Sequence, residues 1–385
     1  MARFSLARAL VAVLSAAGLF SVLTTTTYSS LLLLVASNHD QAATDIMRLL
    51  PLQRLSLNTT QMQEQPQPPQ QPNKVTPKRN RTLLFLRSHQ GQDSFTCNMN
   101  TLWGPDVDAE FIAEILHDFQ HYSMNRTKVR SARPQNWNID VLAYSSNKYN
   151  VKDVQYVTNK FKPKVLLHLS DEEGKKASHE QELFPQYRLV YRQYRYENQK
   201  FHNPANQRIL PLGYHCWDQH VAPNNATRTL PAKRKYLWSF IGTMDKGDRL
   251  AMALALNGAG LTPNFFGAAN NTVENANIFA NSRFVICPRG NVNVETFRMY
   301  MASRSGAIPI TIMSQDDWNA TIAHLDIPPP WFRVDNVQGA IDLMKHLERQ
   351  PPEVVVQAQQ RVLQWWDDIK TEIRRNIVQA IDNHV

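Results

Sequence analysis

Residues 284–312 read FVICPRGNVNVETFRMYMASRSGAIPITI. The apolar run Phe284, Val285, Ile286 and Cys287 suits a strand buried on both faces of a parallel sheet. Pro288, Arg289, Gly290 and Asn291 then break the chain into a tight loop. Val294, Phe297 and Met301 recur at helical spacing, which predicts a helix over residues 293–304. Gly306 fits its C-terminal cap, and residues 307–312 read as the next strand. Such a unit puts a basic, glycine-containing loop at a helix N-terminus, where a diphosphate can be held. Unpaired backbone N–H groups point at the anion, the helix dipole favours negative charge, and Arg289 and Arg298 can neutralise it. The same residues also fit an ordinary βαβ turn with solvated arginines, because one glycine and two arginines are a weak pattern alone.

Outward from this unit, strand and helix signals alternate over most of the chain. Toward the N-terminus, strands are expected at residues 82–86, 139–144, 164–169, 188–194 and 208–212. Helices are expected at 107–124, where Phe111, Ile115, Leu116 and Phe119 share a face, and at 151–161. A polar linker covers 222–235. The pattern restarts with strands at 236–242, 264–267 and 331–334 and helices at 249–256, 272–282 and 337–347. A long amphipathic helix over 353–381 ends the chain, with Val356, Val362, Trp365, Trp366, Ile369 and Ile373 along it. This alternation predicts parallel sheets covered by helices.

Several short patterns, in order along the chain, resemble exostosin-type glycosyltransferases, most closely the ribitol-phosphate xylosyltransferase branch. They are Pro211-Leu212-Gly213; Tyr236-Leu-x-x-Phe240-x-Gly242-Thr243 with Arg249; Cys287-Pro288-x-Gly290; and Asn293-x-Glu295-x-x-Arg298-x-Tyr300. Gly306-x-Ile308-Pro309 follows, then Leu363-Gln364-Trp365 with Lys370-Thr371-Glu372. The two α/β halves with a closing C-terminal helix suggest an α/β fold of two facing Rossmann-like domains, the GT-B arrangement of glycosyltransferases, expected behind an N-terminal membrane anchor and stem. The resemblance implies an inverting, metal-independent enzyme supplied with a UDP-sugar, and xylose as the first donor to consider. One position departs from the pattern. The family's Arg-x-Tyr-Glu-Ala run places a Glu at the nucleotide ribose, and this chain has Met301 there.

The N-terminal segment points to the compartment. Arg3 and Arg8 precede residues 9–36, a stretch of 28 residues without a charge, long enough to span a bilayer as a helix. Basic residues on its N-terminal side predict that residues 1–8 are cytosolic and the rest lumenal, as in a single-pass type II membrane protein; for a glycosyltransferase of this resemblance the expected compartment is the Golgi membrane. A cleaved signal peptide with its apolar core at 9–23 is the competing reading, and it also delivers the chain to the lumen. Sequons at Asn58, Asn80, Asn125, Asn225, Asn270 and Asn319 agree with lumenal exposure. Residues 37–81 contain a Gln/Pro-rich run that cannot bury a core and reads as an extended stem. The domain plan is then 82–221 for an acceptor-side α/β domain, 222–235 for the linker, 236–350 for a nucleotide-sugar domain and 351–385 for a closing helix.

Composition narrows the classes further. The formal charge is +9, which suits an anionic ligand, but no basic run interleaved with aromatics and no zinc-finger spacing points to nucleic acid. Three cysteines, Cys97, Cys216 and Cys287, do not make a disulfide scaffold. One bridge is open to them, Cys97 with Cys216 first, and Cys287 reads as a buried thiol.

Inverting glycosyl transfer needs a base for the acceptor hydroxyl and charge stabilisation for the leaving nucleoside diphosphate. The strand at 164–169 runs into Ser170-Asp171-Glu172-Glu173-Gly174, so Asp171 or Glu172 is the expected base; a solvated or capping acidic loop is the alternative. His89, just past the first strand, is a weaker candidate, and His168 reads as a core histidine. Gly242, Arg249, Arg289, Gly290, Glu295 and Arg298 are the expected donor-binding residues. Glu295 is placed three residues before Arg298, either to orient that arginine or to meet the ribose. Arg249 has a surface alternative in Asp245 or Asp248, and Arg188 and Arg192 are weaker candidates for an anionic acceptor. Three functions follow. The first is the metal-independent transferase, with a UDP-sugar donor, a glycan or polyol-phosphate acceptor and no cofactor. The second is a metal-dependent transferase using Asp106-Val107-Asp108, residues that also fit helix capping. The third is a catalytically silent carbohydrate-binding homologue, motivated by Met301.

Overall fold

The computed structural model describes residues 80–87, 106–125, 131, 138–145, 151–169, 182–194, 205–214, 229–268, 272–290 and 292–383. The expected anchor, most of the stem, Asp171, Glu172, His89, Cys97, Cys216 and the sequons at Asn58, Asn225 and Asn270 lie outside these residues. Among the described residues no helix is long and apolar enough to cross a membrane.

The first half supplies β1 (Thr82–Arg87), α1 (Asp106–Ile115), β2 (Gln120–Asn125), β3 (Val141–Ser145), α2 (Val151–Phe161), β4 (Val165–Leu169), β5 (Leu189–Arg192) and β6 (Gln207–Ile209). These six strands form one parallel sheet in the order β2-β1-β3-β4-β5-β6. β4 is buried along its whole length, as its unbroken apolar run requires. The helix expected over 107–124 is shorter. α1 ends at Ile115, and Gln120 starts a strand whose amide donates to the Arg81 carbonyl at 2.8 Å. The edge of β1 offers the 120–125 segment a full ladder, and that pairing overrides a helical continuation.

The second half supplies β7 (Tyr236–Ile241), α3 (Arg249–Gly258), β8 (Asn264–Gly267), α4 (Thr272–Ala280), β9 (Ser282–Pro288), α5 (Phe297–Arg304), β10 (Ile308–Ile312), α6 (Gln315–Ala320), β11 (Phe332–Val334), α7 (Val337–Glu348) and α8 (Pro352–Asp382). Its five strands are also parallel, in the order β11-β10-β9-β7-β8. Numbered within its own half, this sheet reads 2-1-3-4-5, and the first sheet begins in the same way. Both are doubly wound, with the order reversing beside the first strand of each half. α4 stops two residues before the expected end because Ser282 opens β9, its hydroxyl held by the Ile278 carbonyl at 2.6 Å and by Ser239 Oγ at 2.8 Å. The expected pair of α/β halves is therefore present without any internal sequence repeat.

α8 belongs to both halves. Pro352 sits in its first turn, where a missing N–H costs nothing. Val355 and Ala358 pack on the second sheet's core. Val362, Trp365, Trp366, Ile369, Ile373, Ile377 and Ile381 continue the same face into a core shared by strands of both sheets. Trp366 stacks on Phe111 of α1 at 5.5 Å between ring centroids, and Trp331 meets Trp365 edge-on at 5.0 Å. The end of the helix then reaches the amino ends of the first sheet. Arg81 pairs with Asp382 at 2.6 Å, Lys164 donates to the Ile381 carbonyl at 2.6 Å, and Arg188 donates to the Asn383 carbonyl. Arg188 thus caps a helix C-terminus.

Candidate functional site

In a doubly wound sheet, ligands bind outside the carboxyl ends of the strands where the order reverses. In the second half that point lies between β7 and β9. β7 ends at Ile241 and is followed by Gly242 and Thr243; β9 ends at Pro288 and is followed by Arg289 and Gly290. Arg298, in the first turn of α5, reaches back to this point. Its Nε donates to the Ile241 carbonyl at 2.9 Å, and its guanidinium lies 4.6 Å from the centre of the Phe240 ring. Arg249, the first residue of α3, arrives from the other side. Its Nη1 donates to the Thr243 carbonyl at 3.2 Å and to Thr243 Oγ1 at 3.3 Å, and its Nη2 to the Arg289 carbonyl at 3.5 Å. Arg249 therefore ties the loop after β7 to the loop after β9.

The two guanidiniums affect each other. Burial pushes Arg298 down to about 10, and the nearby Arg249 charge acts in the same direction. Burial also lowers Arg249, with Asp245 offsetting part of the shift. Both remain cationic at neutral pH. Two positive charges gathered at a sheet's switch point, beside backbone loops, suit a polyanionic ligand.

The glycines make the approach possible. A Cβ on Gly242 would lie 3.0 Å from Arg298 Nη2 and 3.1 Å from Phe240 Cζ. A Cβ on Gly290 would fall 2.6 Å from the Asn293 carbonyl oxygen and 3.3 Å from that of Glu295, so the loop can double back on itself only at a bare Cα. That return keeps the chain extended through Thr296, at φ −141° and ψ 147°. α5 consequently starts at Phe297, four residues later than the sequence pattern suggests.

Of the expected donor-binding residues, Gly242, Arg249, Arg298 and the Arg289 backbone come together, with Gly290 shaping the same loop and the Arg289 side chain exposed. Glu295 does not join them. It is buried and accepts hydrogen bonds from the Tyr300 hydroxyl and from the Leu212 backbone N–H of the first half. Burial pushes its carboxyl up to about 7. Glu295 therefore orients Tyr300 and joins two halves instead of orienting Arg298. Through it, the Pro211-Leu212-Gly213 and Asn293-to-Tyr300 patterns noted in the sequence come into contact.

Other candidates resolve as follows. Met301 is buried in the shared core. Cys287 is a buried free thiol, pushed up to about 12 by its burial. His168 is buried between the rings of Tyr144, at 5.1 Å, and Phe184, at 5.9 Å. Arg192 is buried at the end of β5. Asp106 begins α1, the position a capping acid takes. Asn80 and Asn319 are exposed. A cavity of about 420 Å³, lined by Lys235, Tyr236, Phe265 and the α4 residues Glu274, Asn277 and Ile278, opens at the opposite, amino end of the second sheet. It holds none of the arginines. Sequence reasoning missed Phe240 as a partner of both arginines, although it stands two residues before Gly242 in a pattern already singled out.

Residues 218–385, somewhat under half of the chain, match the family model described as the RXYLT1 C-terminal domain. The chain is a glycosyltransferase. No curated protein sequence matches it. Among solved structures, an alpha-glucosyltransferase in complex with UDP-glucose and DNA containing an abasic site shares 9% identity, with a TM-score of 0.45 over 77% of this chain and 99% of the other. Anabaena Alr3699/HepE in complex with UDP and glucose shares 10%, with a TM-score of 0.42 over 78% and 99%. The glycosyltransferase SnogD from Streptomyces nogalater shares 9%, with a TM-score of 0.38 over 79% and 100%. No residue role is carried over from these structures.

Proposed function

We propose that this glycosyltransferase is a lumenal, inverting enzyme that moves a sugar, xylose first among the candidates, from UDP to a glycan or polyol-phosphate acceptor. The observation that carries the reading is the pairing of Arg249 and Arg298 between the loops that follow β7 and β9. It lies inside the segment that matches the RXYLT1 domain, and the sequence patterns there resemble the ribitol-phosphate xylosyltransferase branch. The uncharged residues 9–36 and the Gln/Pro-rich segment after them serve as a Golgi membrane anchor and stem in this reading.

The step is a single displacement. The acceptor oxygen attacks the anomeric carbon, the bond from that carbon to the diphosphate oxygen breaks, and its electrons leave with UDP. Arg249 and Arg298 stabilise the charge that develops on the diphosphate, with no metal in the proposed step. Asp171 or Glu172, following β4, takes the acceptor proton. The topology favours one second candidate for the base. His89 follows β1, which stands at the first sheet's own switch point.

The deciding experiment is a donor screen with the full chain, read as UDP release with and without EDTA. The expected result is turnover of UDP-xylose that EDTA leaves unchanged. Loss of turnover in EDTA would transfer the role to Asp106 and Asp108, and donor binding without turnover on any acceptor would make the chain a silent binder.

A further inference from the structure

Two guanidiniums brought to one place repel each other, and each has lost part of its hydration. Repulsion alone would splay them until a diphosphate arrived. Hydrogen bonds anchor each guanidinium to its own loops, Arg298 to the Ile241 carbonyl and Thr296 Oγ1, and Arg249 to the Thr243 and Arg289 carbonyls and Thr243 Oγ1. Phe240 is the aromatic ring that both guanidiniums share.

We infer that Phe240 is a positioning residue of the donor site, its buried ring holding Arg298 and Arg249 together as a preformed dication for the leaving diphosphate. The inference rests on the donor reading above. Phe240 is fully buried in β7. Its ring centre is 4.6 Å from the Arg298 guanidinium carbon and 5.9 Å from that of Arg249, both within the roughly 6 Å over which a cation is drawn to a π face. The strand's alternation explains how the ring comes to be there. Trp238, Phe240 and Gly242 project from the same side of β7, and the row ends in a residue without a side chain. The ring edge and the Arg298 guanidinium share the space a Cβ would need at Gly242. Phe240 belongs to the same buried core cluster as Met252, Ala253 and Leu256 of α3, the helix that Arg249 begins. One side chain thus meets both cations beside the strand ends. Shape and hydrophobicity are satisfied by any apolar residue of similar size, whereas the pull on two cations requires an aromatic face.

The test separates packing from the π interaction. In the full chain, Phe240 is replaced by mono-, di- and trifluorinated phenylalanines, which keep the ring and progressively remove its negative face. Phe240→Leu and Arg298→Ala are made alongside. Inhibition by UDP and by uridine is measured for each, together with Tm. The expected result is UDP inhibition that weakens stepwise with fluorination, to about tenfold for the trifluoro ring and for leucine. Uridine inhibition and the Tm of the fluorinated series stay where they were. UDP inhibition that stays constant along the series, while Arg298→Ala weakens it, overturns the role of Phe240 and leaves the donor site standing. UDP inhibition unaffected by Arg298→Ala overturns the donor site, and the role of Phe240 with it. If Phe240→Leu lowers Tm and weakens UDP and uridine equally, the residue is a packing element and nothing more.

Discussion

The Lys370 ammonium of α8 lies 2.6 Å from the Glu114 carboxylate of α1, so the last helix among the described residues is pinned to the first. The other Glu114 oxygen accepts from the Tyr214 hydroxyl at 2.6 Å, and the Arg304 guanidinium lies 3.9 Å from the centre of the Tyr214 ring. α1, the segment after β6, the end of α5 and α8 therefore share one charged junction between the halves.

That junction sets an acid limit on stability. Burial works to raise the Glu114 carboxyl, but attraction and hydrogen bonding from Lys370, then the Tyr214 hydroxyl, bring it below its ordinary 4.5. A carboxylate lowered by folding contributes stability above its unfolded pKa and loses it as pH falls through the folded one. Glu114→Gln is expected to flatten the fall of Tm below about pH 4.5 and to cost about 1 kcal/mol at neutral pH. An unchanged acid limb, followed by circular dichroism, would remove the junction from the account.

Glu295 has the opposite sign. Its carboxyl is raised by burial to about 7, so the folded state keeps a proton that the unfolded chain releases at lower pH. Stability from this group is full below about 4.5 and declines as pH rises toward 7. Glu295→Gln retains an acceptor for Tyr300 and removes the titration. Between pH 5 and 7.5 its Tm should fall less than that of the parent, with a gain on the order of 2 kcal/mol at the upper end. A variant that tracks the parent at every pH would show that this carboxyl does not titrate with folding.

Arg298 separates charge from geometry. Arg298→Lys keeps a cation, but an ammonium cannot hold the Ile241 carbonyl and face a diphosphate in the same fork. Hydrogen bonds to charged groups contribute about 1.5–3 kcal/mol, so Arg298→Ala should lower donor kcat/KM by roughly ten- to a hundredfold or more, and Arg298→Lys should recover only part. Steady-state kinetics with the best donor from the screen measure both. Full recovery by lysine would reduce the site to a point charge.

Gly242→Ala places a methyl group against Arg298 Nη2 and the Phe240 ring edge. Donor KM should rise about tenfold, the order expected for displacing one charge-assisted contact, while acceptor KM stays constant. A change confined to the acceptor would put the sugar donor elsewhere.

For the base, Asp171→Asn and Glu172→Gln should give one severe and one mild loss of transfer, the severe one about a hundred- to ten-thousandfold, with UDP binding intact in both. Near-normal transfer in both variants would turn attention to His89→Gln, beside the switch point of the first sheet.

The sequence made most strands legible because they are apolar runs buried on both faces; 284–287 is fully buried at the centre of β9. β2 was hidden for the converse reason. Gln120, His121, Ser123 and Asn125 are polar, the strand lies at the sheet's edge, and no glycine or proline separates it from a helix of good periodicity. The start of α5 was misplaced because periodicity cannot register a loop that folds back on a carbonyl, as Gly290 does on Asn293. Arg249 and Arg298 were legible as cations near loops. Their shared contact with Phe240 was not, because it depends on pairing β7 with β9 and on which side of β7 a side chain emerges. Glu295 shows the limit most plainly. Its spacing from Arg298 allowed a helical pair, but an extended Thr296 turns it toward Tyr300 and Leu212.

The tail contacts of α8 also fix an order of events. Arg81, Lys164 and Arg188 lie in the half that leaves the ribosome first, and their partners Asp382, Ile381 and Asn383 follow them by 301, 217 and 195 residues. The first sheet is consequently made in full before any residue of α8. A nascent chain stalled before residue 352 has both sheets encoded but lacks Trp365 and Trp366, which close the core between them. Native closure of the two halves therefore waits for α8, and a nonsense codon ahead of residue 352 leaves both sheets without the helix that joins them.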